Sequence, residues 1–188
     1  SCPRPSRRSR LSILKILGLR EPSAPRPGGT ESETLRKITR ALEAMDPEKA
    51  RYIASFAFVL SRVAHADLEI DEAETREMER IVQRRARLPE EQAILVVQIA
   101  RAQNRLFGGT ENFSLTRLFR EMATPEQREE LLHCLFAVSA SDESISVVEE
   151  NEIWKIAAEL GITHSAYVSI RSDYRDKRRV LKDLPSKT

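Results

Sequence analysis

A shift of 75 residues lays one half of this chain on the other. Leu60 then falls on Leu135, Val63 on Val138, Asp67 on Asp142, Ile70 on Ile145, Glu74 on Glu149, Glu77 on Glu152 and Ile81 on Ile156. Any two amphipathic helices would match at their apolar positions. Here the carboxylates and a loop isoleucine keep register too, which marks a duplication of one supersecondary unit. Each copy reads as helix, short acidic loop, helix and a further helix: 49–66, 72–86 and 90–106 in the first, 125–140, 147–160 and 164–172 in the second.

The spacing of apolar residues beyond Thr30 is helical almost throughout, and no alternating stretch is long enough for a strand. The expected fold is all-α, a compact bundle of about seven helices built from two helix-loop-helix pseudo-repeats. Ile53, Phe56, Ala57, Leu60, Val63 and Ala64 form one apolar stripe, and Leu131, Leu132, Leu135, Val138 and Ser139 form its counterpart. Asp46-Pro47 and Thr124-Pro125 each set a capping side chain before a proline at the first helical position, and Gln127 completes a capping box with Thr124. Leu88-Pro89-Glu90 opens another helix, Gly161 ends one, Thr163 caps the next, and Gly108-Gly109 breaks the middle of the chain.

The ends differ from this body. Residues 1–31 are rich in Arg, Pro and Ser and carry a net +5, residues 173–188 form a basic C-terminal tail, and residues 32–170 hold a net −7. The formal charge of +2 for the whole chain conceals an acidic body between basic tails. The leader cannot bury enough apolar area to offset its ordering entropy and reads as a tail or linker. Its one apolar piece, Leu11, Ile13, Leu14, Ile16, Leu17 and Leu19 with arginines upstream, fits a short basic amphipathic helix on an anionic membrane surface. No apolar stretch is long enough to span a bilayer. Two cysteines, Cys2 and Cys134, make neither a disulfide framework nor a thiolate metal box, so a reducing, cytoplasmic setting is expected, peripheral at the inner membrane face where the leader binds lipid.

The loops between the first two helices of each copy run Ala64-His65-Ala66-Asp67-Leu68-Glu69-Ile70-Asp71-Glu72-Ala73-Glu74 and Ser139-Ala140-Ser141-Asp142-Glu143-Ser144-Ile145-Ser146-Val147-Val148-Glu149. A helix closing on Ala-x-Ala-Asp in the first copy and Ser-x-Ser-Asp in the second, with a short loop containing Ile and a Glu seven positions after the Asp in both, resembles the tellurite-resistance TerB family. The run Glu149-Glu150-Asn151-Glu152-Ile153-Trp154-Lys155-Ile156-Ala157 with Leu160-Gly161 resembles that family's ending, and Phe113-Ser114-Leu115 and Glu126-Gln127-Arg128 add to the likeness, which covers about residues 45–172. The resemblance implies a compact helical domain, a divalent-cation site from the acidic residues of both loops, and a place in membrane-associated bacterial stress-response assemblies. Carried onto this chain, the site residues are Asp67, Glu74, Asp142 and Glu149. One departure stands out: the family has Gly after the Asp, where this chain has Leu68 and Glu143.

The residues themselves leave two readings open. Seven of the thirteen residues from Asp67 to Glu79 are carboxylates, as are five of the eleven from Asp142 to Glu152. Packed so closely, they suit a hard cation such as Ca²⁺ or Mg²⁺. Yet Asp71-x-x-Glu74 and Ser146-x-x-Glu149 are also capping boxes, and carboxylates in a first helical turn interact favourably with the helix dipole. Neither loop is an EF-hand, because Glu72 and Val147 occupy the position that requires Gly, and Met78 and Ile153 the position that requires a bidentate Glu.

Other chemistries find no pattern. His65, His133 and His164 are too scattered for zinc, Cys134 reads as a small buried hydrophobe, and there is neither a phosphate loop nor a nucleophile elbow. Trp154 reads as an edge of the core. The chain is expected to be non-enzymatic: either a cation-responsive interaction module with a protein partner, or a metal-independent, co-chaperone-type or regulatory protein-binding module. Nucleic acid is disfavoured by the acidic body and the absence of a basic stripe with interleaved aromatics. The leader yields a direct expectation. The full chain co-sediments with vesicles containing anionic lipid through residues 7–20 and is released by high salt, while a 32–188 fragment stays in the supernatant; equal co-sedimentation of the two ends the membrane reading.

Overall fold

The computed structural model describes residues 30–64, 72–107, 112–141 and 144–177. Among these residues the chain forms α1 (Thr30–Glu43), α2 (Pro47–Ala64), α3 (Glu72–Arg85), α4 (Glu90–Phe107), α5 (Asn112–Met122), α6 (Pro125–Ser141), α7 (Val147–Glu159) and α8 (His164–Ser172), followed by a 3₁₀ turn, Arg175–Lys177. The fold is all-α, as the periodicity requires, with eight α-helices against about seven expected. All six repeat helices lie within two residues of their expected bounds at each end.

Local chemistry sets those bounds. The Asp46 carboxylate accepts from the Glu48 amide at 2.9 Å, and Thr124 with Gln127 forms the reciprocal capping box at 2.9 and 3.2 Å. Thr163 accepts from the Ala166 amide at the start of α8. Gly161, at φ 70°, closes α7: its amide reaches the Ala158 carbonyl and the Ile162 amide reaches that of Ala157. This is the paired pattern that ends helices at a left-handed residue. The Leu160 carbonyl left over accepts from Arg128 Nη1 at 3.1 Å.

The core is organised around α2. Every residue from Ile53 to Val63 is buried, which no one-sided amphipathic helix can achieve, and α2 packs against α1, α4, α5, α6 and α7. Phe56 and Phe119 meet edge-on at 5.8 Å with Tyr52 beside both, joining α2 to α5. The serines of the central helix return their hydroxyls to its own carbonyls, Ser55 to Arg51 and Ser61 to Phe58, so they do not require outside partners. Leu131, Leu132, Cys134, Leu135 and Phe136 line the same core from α6. Cys134 is fully buried, as expected of a small hydrophobe, and burial pushes its thiol well above the usual range.

Just past α8, Tyr174 folds back onto α6, stacked on Phe136 at 5.3 Å with its hydroxyl donating to the His133 carbonyl at 3.0 Å. The segment read as a basic tail therefore begins with a buried aromatic anchor. If the aromatic junction of α2 and α5 is as tight as this packing indicates, Phe119→Ala destabilises the domain by about 3–5 kcal/mol in denaturant titration. Val148→Ala, at the most exposed large apolar side chain among the described residues, changes stability by less than about 0.5 kcal/mol.

Candidate functional site

The central helix carries one charge into the interior. Arg62, on its last turn, is 8% exposed. Its guanidinium donates from Nε and Nη2 to Glu152 Oε1 at 2.9 and 2.6 Å, and from Nη1 and Nη2 to Glu159 at 2.5 and 3.1 Å. A further donation from Nη1 reaches Thr116 Oγ1 on α5 at 3.0 Å. Glu152 and Glu159 are seven residues apart, hence on one face of α7 two turns along, and the guanidinium sits between them. Lys155, exposed between the two, approaches Glu152 at 3.6 Å.

Burial works against the charge on Arg62, but the hydrogen bonds and negative charges of Glu159 and Glu152 outweigh it and raise its pKa above the ordinary value. Five charge-assisted hydrogen bonds hold the planar group in one orientation. Lysine, a point charge on a flexible stem, could not span both carboxylates and the threonine.

This clamp joins the two copies next to their acidic loops. The first loop follows α2 two residues after Arg62, and α7 takes the chain from the second loop five residues before Glu152. Of the four residues singled out in those loops, Asp67 and Asp142 lie outside the described residues. Glu74 is exposed on the first turn of α3. Glu149 is half-buried on the first turn of α7, where its Oε2 accepts from the Ser146 amide at 2.8 Å while its own amide donates to Ser146 Oγ at 3.2 Å. The capping box read from sequence is therefore present in the second copy, and one Glu149 oxygen is committed to it. Among the described residues no three His, Cys, Asp or Glu side chains cluster to hold a metal ion. Of the four candidates the described residues thus include one from each loop, Glu74 and Glu149, and the proposed set would need the aspartates to complete it.

Trp154 stands at the core edge, as expected, with its ring against Tyr167 at 4.8 Å and His164 at 5.6 Å. Arg62, Thr116 and Glu159 were not singled out in the sequence. The available signal was the one cation inside the otherwise apolar or small run from Ile53 to Val63, a position that reads as the solvent edge of a stripe until the whole helix is known to be enclosed.

Comparison with known proteins agrees with this architecture. A family model described as tellurite resistance protein TerB matches residues 52–172, from the first buried turns of α2 to the end of α8. Neither the comparison with curated proteins nor that with solved structures returns a match.

Removing the cation from the clamp strands two half-buried carboxylates. Because Glu152 and Glu159 keep some contact with water, the cost of Arg62→Met falls at the lower end of the range for broken buried pairs, about 3 kcal/mol in denaturant titration. The triple variant Arg62→Met, Glu152→Gln, Glu159→Gln recovers most of that loss. A cost below about 1 kcal/mol for the single change means that the cluster behaves as a solvated surface pair.

Proposed function

The chain belongs to the tellurite-resistance TerB family, and on that footing we propose that it is a non-enzymatic, cation-responsive interaction module. Asp67 and Glu74 from the first acidic loop and Asp142 and Glu149 from the second share a divalent cation, Ca²⁺ or Mg²⁺. These are oxygen donors only, which suits a hard ion, and the ion would supply the positive charge needed to bring four carboxylates together. Binding ties the first loop to the second and rigidifies that end of the domain for a protein partner. The basic leader adds peripheral contact with anionic membrane.

The observation that carries this reading is the Arg62 clamp. It locks the helix that precedes the first loop to the helix that follows the second. A metal-independent protein-binding role has its own support in the sparsely charged outer face of α7 and α8, where Val147, Val148, Trp154 and Val168 are exposed.

Thermal melts after chelation test the ion. At about 100-fold over its dissociation constant a bound cation adds roughly 2.7 kcal/mol, and the melting temperature rises by about 5–11 °C. Glu149→Gln separates ligand from cap, because glutamine preserves the capping hydrogen bond and removes the negative charge. The variant is expected to retain stability without ion and lose much of the ion-induced rise, as is the pair Asp67→Asn and Asp142→Asn. No shift with Ca²⁺, Mg²⁺, Mn²⁺ or Zn²⁺ rejects the cation reading.

A further inference from the structure

After α8 the chain turns back on α6. The Asp173 amide donates to the Ile170 carbonyl and the Tyr174 amide to that of Arg171, and the 3₁₀ turn Arg175–Lys177 follows. Of residues 173–176 only Tyr174 is buried. Its ring lies within 14° of parallel to that of Phe136, and its hydroxyl holds the His133 carbonyl. The hold on α6 is thus concentrated in one side chain. The helix before it has anchors of its own: Tyr167 packs against Phe136 and Trp154, and Ile170 is buried in the core. Residues 173–177 can therefore leave α6 while α8 stays in place.

The side chain that Tyr174 covers is ionisable. The His133 ring is half-buried, its centre 6.1 Å from that of Tyr174 and its Nδ1 3.5 Å from the tyrosine oxygen. Arg85, on the last turn of α3, lies 6.0 Å from the Tyr174 ring centre, so a permanent cation borders the same place. The charges acting on His133 are Arg85 from α3, Asp173 from the returning segment, and Glu129 and Glu130 from α6 itself. Glu130 is shared with Arg87 at 3.4 Å and also faces Tyr52 of α2. Burial and Arg85 outweigh the three carboxylates and hold His133 below the ordinary histidine range.

We infer that residues 173–177 form an acid-opened latch, shut by Tyr174 while His133 is neutral and released when that ring takes up a proton. An imidazolium beneath the tyrosine is partly deprived of water and set near a second cation, Arg85. Lifting Tyr174 readmits water to it. The shut state thus binds the proton more weakly than the open one, so closure is strongest above the ordinary histidine range and weakens as the pH falls through it. Opening uncovers the face of Phe136 on which Tyr174 is stacked and frees the chain that continues through the basic residues Arg175 and Lys177. The coupling is reciprocal: if protonation opens the latch, removing the latch makes His133 easier to protonate. None of this depends on the cation reading, because His133 and Tyr174 belong to neither acidic loop.

Nuclear magnetic resonance of the full chain reads both sides of the coupling. At about pH 8 the Tyr174 ring should show contacts with Phe136 and His133 that weaken several-fold at about pH 5, while the Trp154–Tyr167 contact persists. In Tyr174→Ala the titration midpoint of His133 should rise toward the ordinary histidine value, with that of His164 unmoved. His133→Gln, which cannot take up the charge, should keep the Tyr174–Phe136 contact at both pH values. Tyr174 contacts that survive with His133 charged overturn the inference, as does a His133 midpoint that Tyr174→Ala leaves in place or lowers. Acid loss of the Tyr174–Phe136 contact in His133→Gln overturns it as well, because another group would then be the trigger. So does loss of the Trp154–Tyr167 contact at the same pH, since the whole domain would then be opening.

Discussion

A single guanidinium decides how the two halves of this domain meet. Arg62 is the one charged residue in the enclosed run of α2 from Ile53 to Val63, and it is tolerable there only because Glu152, Glu159 and Thr116 arrive from two other helices. A buried charge with poor partners costs several kcal/mol, whereas apolar packing forgives sliding by a fraction of a turn. The clamp therefore fixes the rotation and height of α7 against α2 more sharply than the surrounding leucines and valines can. Its value lies more in specifying one arrangement than in net stability, since a well-packed apolar replacement of the whole cluster could be as stable.

The helices were legible because their signals are local. Proline after a capping residue at Asp46 and Thr124, the Ser146 and Thr163 caps and the Gly161 stop all act within a few residues, and each bound agrees with its side-chain geometry. The enclosure of α2 was less legible. Its apolar stripe is evident, but nothing in that stripe marks Ser55, Ser61 and Arg62 as enclosed. The two serines are accommodated by bonding to their own helix, and the arginine by partners 90 and 97 residues away. No window of sequence joins residues so distant. Tyr174 was hidden for a related reason, because the basic residues after it gave the segment the composition of a tail.

The duplication was both informative and incomplete as a guide to the site. Leu60 and Leu135, or Val63 and Val138, play the same buried part in each copy. Glu77 and Glu152 do not: the first pairs with Arg80 on an exposed face, while the second reaches into the clamp. Position 137, which the repeat sets opposite Arg62, is alanine, so the clamp has no twin. Of the acidic loop residues, Glu149 is now tied to a helix cap, Glu74 is on an exposed first turn, and the aspartates Asp67 and Asp142 lie outside the described residues. Sequence reasoning singled out matched positions; the feature joining the two copies turned out to be an unmatched one.

The complete enclosure of α2 has a consequence for the chain as a heritable object. Its neighbours come from both sides of the boundary at Thr124: α1, α4 and α5 before it, α6 and α7 after it. Severed there, the first half would retain its most apolar helix with one flank bare and Arg62 without either carboxylate. The second half would lose the helix on which α6 rests. What reads as two units in the sequence is thus one cooperative unit in the fold, and neither half can be exchanged, permuted or inherited alone without a substitute for the other.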